Sequence, residues 1–553
     1  MDSEEKVTTQ APNAGAPGAP GKGIFAKLGM PAIIGIAVAA VLVLIFIISG
    51  GLGKTMHKTF DSPKSYFSYV TKQTVLGKKD NAARSVFDNF SDQITDDNKA
   101  VEEQITLTVG EKGETYLRLL KETGVDLTWL KEAKVKCSFN TKDNDVEMSA
   151  NIALNGKSII SPEFIFDSKK TTAYVKVPEL TKDTAKYTLE DEYAEKIKEA
   201  LDKAAELRKA YPSSKDVDKL LDRYVKLVLA EVKDVERQRG VSLDCDEVSQ
   251  KCTVVKATFK EKDIKSIVKK VCDEASKDKD LKNIMQDFFK ALDMEDDFDN
   301  AYDSMVNSLE NVADNIEDME FGLDKITVEL YVDGNTKIVG FVVTVSPENG
   351  DKATLKIGSA TKGSNVGYEA SFKSADTTIK FSGSGKKSGS KITGDYDLKV
   401  NGERLMKVKV EKFDTDAWDN GYLKGHFTAS FDVNLDDLNT SSLPREIRRA
   451  IRNYGDVLSN LDLGLDLIID LGEKKHSIDL GVLSSDEEVF RIAFKGSVKS
   501  GSKVKIPSKA VDVSDPSDLE EFIGDLDFDK ILDAIEAADA PSSITKMLRE
   551  MMN

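Results

Sequence analysis

Hydrophobic positions change their period several times along the chain, and those changes divide it. Met30–Ile48 reads MPAIIGIAVAAVLVLIFII, nineteen residues without a charge. At about 1.5 Å rise per residue the run matches the roughly 30 Å hydrocarbon core of a bilayer, so it predicts a transmembrane helix over 30–49. Residues 1–29 contain APNAGAPGAPGKG, too poor in apolar surface to fold, and predict a disordered Pro/Ala/Gly tail. Residues 50–61 read as a linker, after which a helix begun at Ser62 carries Tyr66, Phe67, Tyr69 and Val70.

The body that follows alternates between two periods. A second helix is expected at Asn81–Ile94, and then EQITLTV (103–109), AKVKCSF (133–139), DVEMSANIAL (145–154), SIISPEFIFD (158–167) and TTAYVKVPEL (171–180) alternate as half-buried strands. The period turns to 3.6 over Glu190–Lys209 and Lys215–Arg237, a helical hairpin broken at Pro212. A short β-hairpin is expected at Val241–Lys260, then helices at Lys262–Ala275, Asp280–Asp293 and Asp296–Ile316. Residues 62–320 thus form an α+β region. Residues 321–510 read as an antiparallel meander of strands about ten residues apart, interrupted by a helix at Pro444–Ser459, and 511–553 as C-terminal helices.

The fold class is therefore α+β: one N-terminal transmembrane helix, then a large antiparallel, strongly curved, half-barrel-like sheet packed with helices. Strand twist makes so long a sheet curl or split. Helices are expected to cover its inner face, where Val328, Leu330, Val332, Phe341, Val343 and Val345 are ordinary core unless the helices leave a cavity.

Charge narrows the partners. With 96 acidic against 78 basic residues the formal net charge is −18, which disfavours nucleic acid or anionic lipid held by bulk electrostatics. A cleaved signal peptide is the alternative reading of the apolar run, helped by the small residues Ser49, Gly50 and Gly51. The 29 residues ahead of the run and its length favour an uncleaved anchor. Lys22 and Lys27 on one side balance Lys54 and Lys58 on the other, so flanking charge does not set the topology. The C-terminal body is expected outside the cell membrane.

Candidate chemistry is sparse. GGLGKT (50–55) resembles a phosphate loop but has Ile48 at the first glycine's place and follows a membrane span, not a strand; GSGKKSG (383–389) has Lys380 there. The acidic run DMEDDFDNAYD (293–303) lacks both the sixth-position Gly and the twelfth-position Glu of a calcium loop. His57, His426 and His476 are scattered singly and no CxxC occurs, so no metal site and no cofactor are expected, and no catalytic constellation stands out. Asn89-Phe90-Ser91 and Asn439-Thr440-Ser441 are weak sequon matches. Of Cys137, Cys245, Cys252 and Cys272, the pair Cys245 and Cys252 flanks a turn, and a disulfide and two free thiols are both open there.

SPKSYFSYV after the anchor, TTAYVKVPEL, DVERQRGVSLDCDEVSQKCTVVKATFKEKDIKSIVKK and DEASKDKDLKNIM together resemble uncharacterised membrane-anchored envelope proteins of gut-type Clostridia. That resemblance implies a bacterial, extracytoplasmic placement and transfers no catalytic residues. TTAYVKVPEL also looks like strands of envelope proteins with a curved-sheet, lipoprotein-carrier-like fold, a likeness of fold alone. The expected function is a non-enzymatic, membrane-tethered envelope protein whose sheet binds a lipid or another apolar ligand. A structural or protein-interaction module at the cell surface is the alternative, and a hydrolase the third.

Overall fold

The computed structural model describes residues 62–76, 85, 86, 88, 89, 98–121, 126–431 and 463–552. The expected tail (1–29), membrane helix (30–49), linker (50–61) and helix at Pro444–Ser459, with most of that at Asn81–Ile94, lie outside the described residues. None of the described helices is long and apolar enough to cross a membrane.

Helix α1 (Pro63–Leu76) precedes β1 (Lys99–Val109), α2 (Glu111–Lys121), β2 (Glu132–Lys142), β3 (Asp145–Leu154), β4 (Lys157–Ile160), β5 (Glu163–Asp167), β6 (Thr172–Lys176) and β7 (Ala185–Thr188). Helices α3 (Asp191–Ala210) and α4 (Ser214–Glu231) form a hairpin. The strands β8 (Asp234–Cys245) and β9 (Val248–Lys260) form another, followed by α5 (Glu261–Ala275), α6 (Lys279–Ala291) and α7 (Glu295–Asn315). The meander comprises β10 (Leu323–Val332), β11 (Ile338–Pro347), β12 (Ala353–Lys362), β13 (Asn365–Lys373), β14 (Thr378–Ser388), β15 (Lys391–Val400) and β16 (Glu403–Asp414). After the short α8 (Thr415–Asp419) come β17 (Lys424–Phe431), β18 (Leu463–Leu471), β19 (Lys475–Ser484) and β20 (Glu487–Ser500). The two-residue β21 (Val511–Asp512) leads to α9 (Pro516–Gly524), α10 (Asp529–Ala537) and α11 (Ser542–Met552).

Local chemistry explains most of these boundaries. Asn401 and Gly402, both at positive φ, make the two-residue turn between β15 and β16, as Asp143 and Asn144 do between β2 and β3. Ser213 and Asp216 cap α4 reciprocally. Pro162 splits the strand expected over 158–167 into β4 and β5. The helix expected over Lys215–Arg237 stops at Glu231, and residues 234–237 belong to β8 instead. Val232 and Val235, three residues apart, suit a helical stripe, and antiparallel pairing of β8 with β9 from Asp234 onward overrides it.

All the strands join one sheet, 21 among the described residues. From edge to edge the order is β21, β7, β6, β5, β3, β2, β1, β20, then downward in number from β19 to β8, with β4 sharing one side of β3 with β5. Every pairing is antiparallel except β21 with β7, so the sheet is mixed at that edge. Strands from the two sides of residue 320 interlock: β10 lies beside β9, and β1 beside β20.

The main core sits at the β8 end. There α1, α4, α5 and the C-terminal end of α7 lay Phe67, Val70, Leu229, Ile264 and Ile316 on Val255, Phe259, Ile326, Leu330 and Phe341 of the sheet. The expectation that the mid-chain helices cover the sheet is met over this end. A second cluster lies on the opposite face. Beyond a bulge at Gly240, the tip of the β8–β9 hairpin folds over β12 and β13, packing Leu243, Cys245, Val248 and Cys252 around Ala360. Gly358 makes this approach practicable, since a Cβ there would lie 3.2 Å from both Cys245 Sγ and Leu243 Cδ1.

Candidate functional site

Residues facing each other across antiparallel pairs share a face, so the registers can be followed from strand to strand. Starting in the core, Leu330 faces Phe341, Phe341 faces Ile357, Ile357 faces Ala370, and Ala370 faces Phe381. Phe381 faces Leu398, Leu398 faces Met406, and the same side continues through Phe431, Phe427, Leu467, Leu480, Ile492 and Leu107. It reaches Ala133 on β2, Leu154 on β3, and through their neighbours Phe164 on β5 and Val175 on β6. One face of the whole sheet is therefore apolar. Among the described helices, α1, α4, α5 and α7 cover it near β8–β12, and α2 packs at the end of β20.

Beyond the helices this face stays partly open. Ile105, Val135, Phe139, Met148, Ile152 and Val175 are all exposed, at 38–45%. Contiguous apolar surface of this kind marks an interaction or ligand site. Two apolar rows run across the strands here. One passes through Ile478, Phe494, Ile105, Val135 and Ile152; the other through Val498, Val101, Phe139, Met148, Phe164 and Val175. Val101, Phe139, Met148, Phe164 and Val175 line a groove of about 410 Å³ together with Glu103 and Cys137.

Between the two apolar rows runs a polar one: His476, Gly496, Glu103, Cys137 and Ala150. His476 Nε2 donates to Glu103 Oε2 at 3.0 Å. Their side chains remain one-third and nearly one-half exposed, and Cys137 is an exposed free thiol. Gly496 lies beneath the pair; a Cβ there would collide with both the imidazole and the carboxylate. No protein-family model matches the chain, and no curated protein matches it.

The residues singled out from sequence fall elsewhere. Val328, Leu330, Val332, Phe341 and Val343 are at most 8% exposed under the helices, with Val345 packed against them, so they are core. Cys245 and Cys252 are free thiols. The turn falls at Asp246 and Glu247, so Cys245 faces Val248 while Cys252 faces Val241, four positions along β9. At about 3.4 Å per residue that keeps the cysteines' Cα atoms far beyond the 4.4–6.8 Å of a disulfide. Burial pushes each thiol up to about 11.

His426 lies on the face opposite the apolar one. Its Nδ1 is 3.0 Å from Glu411 Oε2 and its Nε2 contacts Asp466, which Arg491 also holds at 2.7 Å. That is a closed ion-pair network in which every charge has a protein partner. An open polar hollow of about 600 Å³ includes Asp414 and Asp416, but Asp414 is committed to capping α8. Among the described residues no group of three or more His, Cys, Asp or Glu is placed to hold a metal ion.

Sequence reasoning missed the Glu103–His476 pair because its members come together only through the β1–β20–β19 registers. One signal was present: EQITLTV puts Glu103 on the same side as Ile105 and Leu107, a charge in an apolar alternation.

Proposed function

We propose that the protein is a non-enzymatic, membrane-tethered envelope protein that binds an alkyl-chain amphiphile along the open apolar face of its sheet. The observation that carries this reading is the apolar face itself, which runs on from the helix-covered core to β6 without a charged row other than that of Glu103 and His476. Three further points support it. The anchor read at Met30–Ile48 would hold the sheet within linker reach of a bilayer, at most about 40 Å for residues 50–61 at 3.3–3.6 Å each. Accumulated strand twist would give the lane the shape of a trough. The resemblance to clostridial envelope proteins and to curved-sheet carriers points to an extracytoplasmic position.

The test uses the full chain in phosphatidylcholine vesicles containing a lipid with a photoreactive alkyl chain. Cross-links are expected on peptides holding Phe139, Met148 and Phe164. Labelling confined to the span 30–48 would overturn the reading and favour a surface that presents itself to another envelope protein.

A further inference from the structure

We infer that Glu103 and His476 form the head-group subsite of this lane, selecting an amphiphile whose head donates hydrogen bonds, a hydroxyl or an ammonium, over one with an anionic head. The inference rests on the reading of the lane as an amphiphile site and adds what that site would choose.

An ionised carboxylate accepts hydrogen bonds and donates none. Glu103 spends one oxygen on His476 Nε2 at 3.0 Å and makes no other hydrogen bond among the described residues. Its second oxygen is thus left for a donor that a ligand brings. No Lys or Arg shares the polar row of His476, Gly496, Glu103, Cys137 and Ala150. Lys136, Lys495 and Lys499 face the other way and pair there, Lys136 and Lys499 with Glu102 and Lys495 with Asp479, while Lys99 shares the side of Glu103 but lies four residues away at the start of β1. A carboxylate or phosphate head would therefore meet the charge of Glu103 with only the imidazole to offset it.

Geometry places the tail. The row of Val101, Phe139, Met148, Phe164 and Val175 lies one two-residue step from Glu103 along the strands. It crosses five strands, about 19 Å at 4.7–4.9 Å per strand, the scale of an extended alkyl chain. A head at Glu103 thus leaves its tail on apolar side chains throughout. His476 is a positioning residue, holding the carboxylate over Gly496.

Cys137 is the built-in reporter, because it is exposed in the same row while Cys245, Cys252 and Cys272 are buried. The rate at which a polar maleimide labels Cys137 would be followed on the full chain in phosphatidylcholine nanodiscs. Dodecylamine, 1-dodecanoylglycerol and dodecanoate share a chain length and differ in head. The two donor heads are expected to protect Cys137 at about tenfold lower concentration than dodecanoate, the size of one charged hydrogen bond. Glu103→Gln is expected to abolish that preference while all three still protect. Gly496→Ala, which displaces the pair, should do the same.

Equal protection by all three in the wild type, or an order unchanged in Glu103→Gln, would overturn the head-group assignment and leave the lane standing. No protection by any would overturn the lane itself. Continued silence of the three buried thiols shows that each variant is folded.

Discussion

At the scale of single residues, the ion pairs on the polar face make a prediction about acid. Burial raises the pKa of Asp466, but hydrogen bonds and charge from Arg491 and His426 outweigh it and hold the carboxyl below its ordinary 3.8. A carboxylate depressed in the folded state contributes stability that is present above its unfolded pKa and lost as pH falls through the folded one. Asp466→Asn should therefore flatten the loss of stability below about pH 4. Near neutrality it should cost about 1–3 kcal/mol, because Arg491 loses a charged partner. Denaturant titrations of both proteins across pH test this; identical acid limbs would refute it. The same polar face shows how a lone histidine in the sequence acquires meaning only from its neighbours. His426 lies between two carboxylates drawn from β16 and β18, while His476 holds one in an apolar lane. Neither environment can be read from a sequence window, since the partners come from other strands.

At the scale of elements, periodicity and turn chemistry were readable wherever they had no rival. The meander strands, the helical hairpin and the turn at Asn401–Gly402 all lie where alternation, an apolar stripe and an Asn-Gly pair place them. The errors fall where one segment satisfies two patterns or too few. Residues 232–237 offer one helical pair, Val232 and Val235, which pairing with β9 overrides. Helix α2 was missed because its eleven residues, EKGETYLRLLK, include a glycine and offer a short stripe. It is held by acids in its first turn, bases in its last, and a bond from Tyr116 to Ser484 on β19. The helix-covered core carries the stability of the β8 end. Leu330→Ala, at a fully buried position, should cost about 2–5 kcal/mol in denaturant unfolding. Ser213→Ala should cost only about 1 kcal/mol through loss of the α4 cap. If the two losses were equal, the helices would not be anchored through this core.

At the scale of the whole molecule, the sheet is managed at its outer strand and, among the described residues, partly open across one face. Strand β8 carries Asp234, Glu236, Arg237 and Arg239, charges that discourage another strand from adding there. Among the described residues the apolar side of β1–β6 carries no such run of charges, and Ile105, Val135, Phe139, Met148, Ile152 and Val175 stay exposed on it. None of this was visible before the registers were known. Each strand announces which of its two sides is apolar, but only the pairing of β1 with β20 joins the early and late halves into one lane.

That pairing also sets a schedule. Ile105 waits for Phe494, which emerges from the ribosome roughly 390 residues later, tens of seconds at about 5–20 residues per second. If β1, β2 and β3 pair during that interval, their stack lacks its next strand and carries an oily side and a bare edge together. Such a stack is expected to be prone to misassociation until β20 arrives. A chain ending before Glu487 would remain in that condition permanently, and is expected to be recovered as aggregate or degraded rather than as a shortened, working protein.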